Sequence, residues 1–327
     1  MDSEPITVPT NDASDARRDQ FVHPTVVLVL ALVGVSFAGP LVRLSNAHPL
    51  AIAIWRVGFS LIVIAGFLIG TGTWRQWSRL DRRGLGLAVG AGGALALHFW
   101  SWNTSVGMTT IAASVVLVNL QPALVALLSV TWLREPPTRR QWIGIGIAMG
   151  GALVVALPDL SSSSGMLGGR ALVGDLLAVG GAVTAALYVT VGRKLRATLD
   201  LWPYVALVYG TCFVVLIGLA ALVRAPVTHQ PPRELLIFAG LAIGPMLLGH
   251  TGLNWALRYL PAYVVNLTLL GEPVGATFLA AVLPGIREVP AGATFLGGSL
   301  ILFGVIVTMR RPRRGAPSAS VSPEGLS

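Results

Sequence analysis

The feature that most limits what this chain can fold into is a succession of apolar runs joined by short loops that carry most of the basic residues. Covering roughly 30 Å of hydrocarbon takes about 20 mainly apolar residues, at about 1.5 Å each along a helix. Ten such runs can be drawn, at about 24–44, 50–70, 84–103, 109–131, 141–157, 171–191, 203–222, 234–254, 262–283 and 291–309. The fifth is short and is expected to recruit Trp142 and its flanks or to cross where the bilayer is thinned. Lipid offers the backbone no hydrogen-bond partner, so each run must be a helix. The alternating strands of about ten residues that a β-barrel needs do not develop from Val115–Val118 or Leu167–Val173. The expected fold is an all-α integral membrane protein of ten transmembrane helices.

Composition agrees. Apolar residues make up 54% of the chain and charged residues 11%, where a soluble chain carries about 25% charge. The mean hydropathy is +0.73. The single cysteine, Cys212, excludes an internal disulfide framework and a paired-cysteine metal site, and no cofactor or metal is expected. A formal charge of +9 would suggest nucleic acid in a soluble domain, but here the basic residues sit in loops. The expected partners are the lipid bilayer and a small-molecule substrate, not nucleic acid.

The chain also repeats itself. Asn103 stands 19 residues before Pro122; Glu135 follows 13 later, and Gly144 and Gly151 lie 9 and 16 past it. Asn254 again stands 19 before Pro273; Glu288 follows 15 later, with Gly297 and Gly304 at 9 and 16 past it. Arg-Glu occurs at both hinges, Arg134-Glu135 and Arg287-Glu288. An internal repeat of long apolar segments reads as a duplicated membrane unit. The units fall at 24–157 and 171–309, joined by a polar linker at 158–170 that contains S-S-S-S-G. Outside them, 1–23 and 310–327 read as disordered tails, the second basic.

Five spans per unit is an odd number, so the second unit must enter the membrane from the opposite face. This gives two inverted five-helix repeats, an architecture that recurs in secondary transporters. Basic residues set the orientation. With the amino terminus inside, the inner loops hold 11 of them and the outer loops 5; the tails widen this to 17 against 5. Both termini are therefore expected in the cytoplasm of a multi-pass cell-membrane protein, with the linker outside.

These residues resemble the EamA-type unit of the drug/metabolite transporter superfamily, which combines a mid-helix proline, a glutamate at a helix end and a glycine-rich helix. The matching positions here are Pro122, Glu135, Gly144 and Gly151, then Pro273, Glu288, Gly297 and Gly304. The second unit departs from the first by two extra residues between proline and glutamate, and by Glu272 directly before Pro273. The resemblance spans about 24–309 and implies ten helices, one central cavity between inverted halves, and transport of small metabolites. An amino acid or a related compound, exported by alternating access with or without proton coupling, is the transport reading.

Polar residues within the spans are the candidates for the substrate path, because placing them in lipid is costly. Arg56 either meets an anionic substrate or an acid on a neighbouring helix, or snorkels to the headgroups. His98, Trp100, Trp102 and Asn103 cluster near the outer end of the third span, where the two Trp rings form either a membrane-interface belt or a substrate gate, and His98 and Asn103 either face substrate or hydrogen-bond helix to helix. Asn119 and Gln121 precede Pro122; Asn266 and Glu272 precede Pro273, where a missing backbone donor loosens the turn. Tyr188, His250 and Asn254 complete the set. Glu272, near mid-span, is the candidate for exchanging a proton. Glu135 and Glu288 are expected to orient the hinges beside arginines, and the four glycines to let helices approach closely. No G-x-x-x-x-G-K-[ST] or H-E-x-x-H motif suggests an enzyme or a built-in motor. A channel-like facilitator and a non-transporting interaction protein are the alternatives; saturation and trans-stimulation separate a carrier from both.

Overall fold

The computed structural model describes residues 23–108, 114, 117–162, 169–283 and 292–309, and all of the regular structure among them is helical. The expected tails up to residue 22 and from 310, the middle of the linker and Glu288 lie outside the described residues.

Helix α1 (Pro24–Ser36) continues into α2 (Ala38–Leu44), and α3 (Pro49–Thr71) follows. Both α1 and α3 start on proline, whose missing N–H is no loss in a first turn. His23 and His48 cap them through side-chain acceptors. A 3₁₀ turn at Thr73–Arg79 leads to α4 (Arg82–Val106), capped by Asp81, which accepts from Gly84 N at 2.7 Å. Helix α5 (Gln121–Leu128) widens into a π-helical turn at Ser129–Leu133. There Arg134, at φ 57°, turns the chain so that Glu135 N reaches Ser129 O. Then come α6 (Arg139–Ser162), α7 (Gly169–Leu195) and α8 (Leu201–Leu222). Helix α9 (Pro232–Leu241) passes through a π-helical stretch at Ala242–Thr251, which contains Pro245, into α10 (Gly252–Ala256). Helix α11 (Ala262–Leu267) tightens to 3₁₀ at Thr268–Gly271 and resumes as α12 (Glu272–Val282); α13 is Gly292–Met309.

Among the described residues six helices are long and apolar enough to cross a membrane: Pro24–Leu44, Pro49–Thr71, Arg82–Ser105, Leu172–Leu195, Leu201–Leu222 and Pro232–Ala256. Gln121–Leu133 and Phe295–Thr308 are shorter apolar helices. The chain is thus an all-α, multi-pass membrane protein. One expected helix length changes. The fifth run is not short, since α6 reaches from Arg139 to Ser162, and it thereby takes up the first residues of the supposed linker. The outside of the bundle is apolar, with Ile69 74%, Leu236 75% and Leu222 80% exposed, while Arg56, Asn254 and Asn266 are buried. A surface that would aggregate in water suits lipid.

The helices pair in a regular way. α6 packs along α13, α4 along α7, α3 against α8, and α5 against α11. α1 packs on the π-helical stretch and α10, and α4 also packs on α8. The α6–α13 contact depends on glycine. A Cβ on Gly151 would sit 2.7 Å from Gly297 O and 2.8 Å from Ile301 N; one on Gly304 would sit 2.6 Å from Ala148 N. With backbone against backbone, neither side can yield without parting the helices.

One face of the bundle is tied by a loop carboxylate. Asp200 accepts from Gln76 Nε2 at 2.5 Å and from Arg258 Nη1 at 2.8 Å, joining the 3₁₀ turn, the α7–α8 loop and the end of α10. Partial burial pushes the Asp200 carboxyl up, but the bonds from Gln76 and Arg258 outweigh it and hold it below the usual aspartate range.

Two outcomes follow. Gly151→Ala should lower the thermal midpoint of the detergent-solubilised protein, with a cost of about 1–3 kcal/mol. Gly150→Ala, which meets nothing within 4 Å, should leave it unchanged or slightly raised. A carboxyl with a depressed native pKa contributes stability above its unfolded value, and that contribution is lost as pH falls through the native one. Asp200→Asn should therefore lower the midpoint at neutral pH and flatten the acid limb below about pH 4.

Candidate functional site

A cavity of about 80 Å³, with room for several waters, lies where these helices converge. The sequence candidates Arg56, His98, Gln121, Tyr188, His250, Asn254, Asn266 and Glu272 all line it. They come from both halves of the chain, and local irregularity presents several of them. In the 3₁₀ turn three residues make one revolution, and Asn266, Leu269 and Glu272, at spacings of three, all face the cavity. Pro245 removes a backbone donor inside the π-helical stretch, and both Pro245 and His250 of that stretch line the cavity. Gln121 opens α5 directly after the turn at 119–120.

Arg56 is 2% exposed and does not snorkel to the surface. Its guanidinium lies 3.8 Å from the centroid of the Phe99 ring, a cation–π contact. Nη2 points at the sulfur of Met246, 3.9 Å away. The Arg56 Nε, the Trp102 Nε1 and both ends of the Asn266 amide are buried without a hydrogen-bond partner. These make four of the seven such atoms among the described residues, so the unmet polar capacity of the interior is concentrated at the cavity wall.

A satisfied network sits beside these groups. Asn254 Nδ2 donates to the Tyr188 hydroxyl at 2.5 Å and to the Tyr209 hydroxyl at 3.2 Å, and Tyr209 meets Thr251 Oγ1 at 3.2 Å. His98 Nδ1 lies 3.0 Å from Gly181 O, which fixes the proton on that nitrogen and leaves Nε2 as an acceptor. His250 meets the edge of Phe99, centroids 5.5 Å apart. Phe99 and His250 stand 151 residues apart, as do Gln121 and Glu272, and Asn103 and Asn254. The first two pairs both line the one cavity but are filled differently, whereas of the two asparagines only Asn254 lines it.

Three candidates do not line it. Asn103 donates to Pro49 O at 3.3 Å and ties α4 to the start of α3. Trp100 packs against the core outside the cavity, and Asn119 occupies the turn before α5. Of the two Trp rings read as an interface belt or a substrate gate, Trp102 lines the cavity. Phe99, on the cavity wall, and Met246, against Arg56, were missed because apolar and aromatic residues in an apolar run carry no signal of their own. Among the hinge residues, Pro122 is buried in the first turn of α5, and the backbone of Pro273 lies in the first turn of α12. Glu135 is gripped by Arg193 of α7, not by its neighbour Arg134. Nη2 and Nε donate at 2.6 and 3.0 Å, while Nη1 donates to Leu257 O at 2.7 Å.

On the opposite face, buried Glu234 accepts from Ser45 Oγ at 2.5 Å and Asn46 N at 3.2 Å, and pairs with Arg233 at 3.1 Å. The cavity therefore lies between two pinned faces. Among the described residues no group of three or more histidine, cysteine, aspartate or glutamate side chains could hold a metal ion.

The chain matches the EamA-like transporter family over residues 23–157 and 172–310. It is 26% identical over 302 residues to an uncharacterized transporter of Archaeoglobus fulgidus, covering 88% of this chain and 98% of that protein. A solved crystal structure superposes on 88% of this chain and 96% of its own with a TM-score of 0.68. At 19% identity, that likeness concerns the fold alone.

Proposed function

The chain belongs to the EamA-like transporter family, whose members are membrane transporters rather than enzymes, and we propose that it exports a small polar metabolite, an amino acid or related compound, by alternating access. The observation that carries this reading is the cavity itself: buried polar side chains from both matched segments converge there, between two pinned faces. Opening one face while the other stays closed would require breaking only one set of pins, either Glu135–Arg193 with Asp200–Arg258, or Glu234 with Ser45.

The ten-span arrangement in two inverted repeats is part of the proposal. The packing supports it, because a two-fold axis relating the units makes equivalent helices meet: α6 with α13, α3 with α8, α5 with α11. The pairing of α4 with α7 then corresponds to that of the Pro232–Ala256 segment with α1. The excess of basic residues on the face of Glu135 and Asp200 supports a cytoplasmic assignment for that face, with both termini inside and the 158–170 linker outside. In this scheme Glu272, which lines the cavity without a hydrogen-bond partner among the described residues, carries the coupling proton.

Three measurements test these points. Ser162→Cys, in a chain whose Cys212 is replaced, should react with a membrane-impermeant maleimide from outside intact cells; reaction only from the cytoplasmic side would exclude the inverted topology. Purified protein in proteoliposomes should show saturable, trans-stimulated uptake of members of a radiolabelled metabolite panel, whereas flux without saturation would indicate a channel. Glu272→Gln should abolish accumulation driven by a pH gradient while keeping exchange at equal pH; a variant that still concentrates substrate in response to pH would remove Glu272 from the coupling role.

A further inference from the structure

We propose that the transported molecule is a small organic carboxylate whose carboxylate docks on the guanidinium of Arg56. This rests on the transport reading of the cavity and adds a chemical class to it. The argument starts from what surrounds Arg56. Phe99 covers one face of the guanidinium, but a guanidinium donates in its own plane, along its edge. On that edge Nε has no acceptor, and the partner of Nη2 is a thioether sulfur 3.9 Å away, a weak acceptor. No ion pair within 4 Å joins Arg56 to an acid among the described residues. Glu272 shares the cavity wall but does not close on it.

A cation held this deep with an unfilled edge is a receptor for an oxyanion. In a site shielded from water, a two-bonded carboxylate–guanidinium pair is among the strongest polar contacts available. One guanidinium matches one negative charge, which favours a monocarboxylate over a phosphate dianion; the small cavity points the same way. The rest of the ligand finds two surroundings. Val35, Leu253, Val265 and Leu269 offer an apolar wall for a short hydrocarbon part. The Asn266 amide, 1% exposed with donor and acceptor both unpaired, offers hydrogen bonds to one further polar group. Amino acids fall inside this class, and so do simple short-chain acids.

The test uses wild-type protein in lipid nanodiscs and four probes on short skeletons: propionate, L-alanine, L-alaninamide and ethylamine, with 4-methylpentanoate as a longer acid. Binding is read by calorimetry and by thermal stabilisation. At least one of the three carboxylates should bind, and the amide and the amine should bind about tenfold or more weakly. Arg56→Gln should remove the preference for carboxylate over amide, and Arg56→Lys should keep part of it, since the charge remains and the planar fork is lost. Because the wild-type comparison carries the test, a misfolded variant does not decide it. Binding of amide or amine as tight as that of the acids, or no binding by any acid, overturns the proposal. Saturable, trans-stimulated flux of a neutral or cationic metabolite would then leave the transporter reading standing without it.

Discussion

Lipid cannot hydrogen-bond, and every other feature of this protein answers to that. Each crossing segment must satisfy its own backbone, so the elements are helices. Each polar side chain must then turn inward and find a partner there. The hydroxyls of Tyr188 and Tyr209 meet Asn254, and Ser60 returns its hydroxyl to the carbonyl of Arg56. Helix association in turn has to come from close fit, which is why small residues occupy the α6–α13 seam and why a single Cβ there would meet backbone.

The same constraint gives meaning to the exceptions. In water an unpaired Asn266 amide would be unremarked; inside an apolar bundle it costs free energy for as long as it stays unmet. Four such atoms around one small space are hard to explain as packing, because a packed helix pair offers many ways to satisfy an amide. They are simple to explain as a place that something polar enters.

Depth along a helix was legible in the sequence, whereas azimuth was not. Arg56, His98, Gln121, Tyr188, His250, Asn254, Asn266 and Glu272 could be selected because each interrupts an apolar run, and all of them reach the cavity. Trp100 and Trp102 are close in depth, yet two residues along a helix turn the side chain by about 200°, so Trp100 packs on the core while Trp102 lines the cavity. Asn103 and Asn254 hold equivalent repeat positions, but one bonds the Pro49 carbonyl and the other the cavity tyrosines. The partner of Glu135 was equally hidden: Arg134 is adjacent in sequence, and Arg193, 58 residues away, makes the bond. The length of α6 was misjudged because loss of hydropathy near Pro158 does not end a helix.

Duplication also explains why the site is unequal. At equivalent positions one unit places Phe99 and Gln121 where the other places His250 and Glu272. An apolar phenyl ring stands where the other unit has a polar imidazole, and a neutral amide where it has a carboxyl. In the proposed inverted arrangement, two identical units would give a cavity whose two openings see the same charges. The substitutions break that equivalence. His250 and Glu272 of the second unit line the same cavity as Arg56 and His98 of the first. If the protein alternates between two orientations as proposed, a change of charge at Glu272 would act on them differently, which is the condition any ligand or proton must meet to shift such an equilibrium.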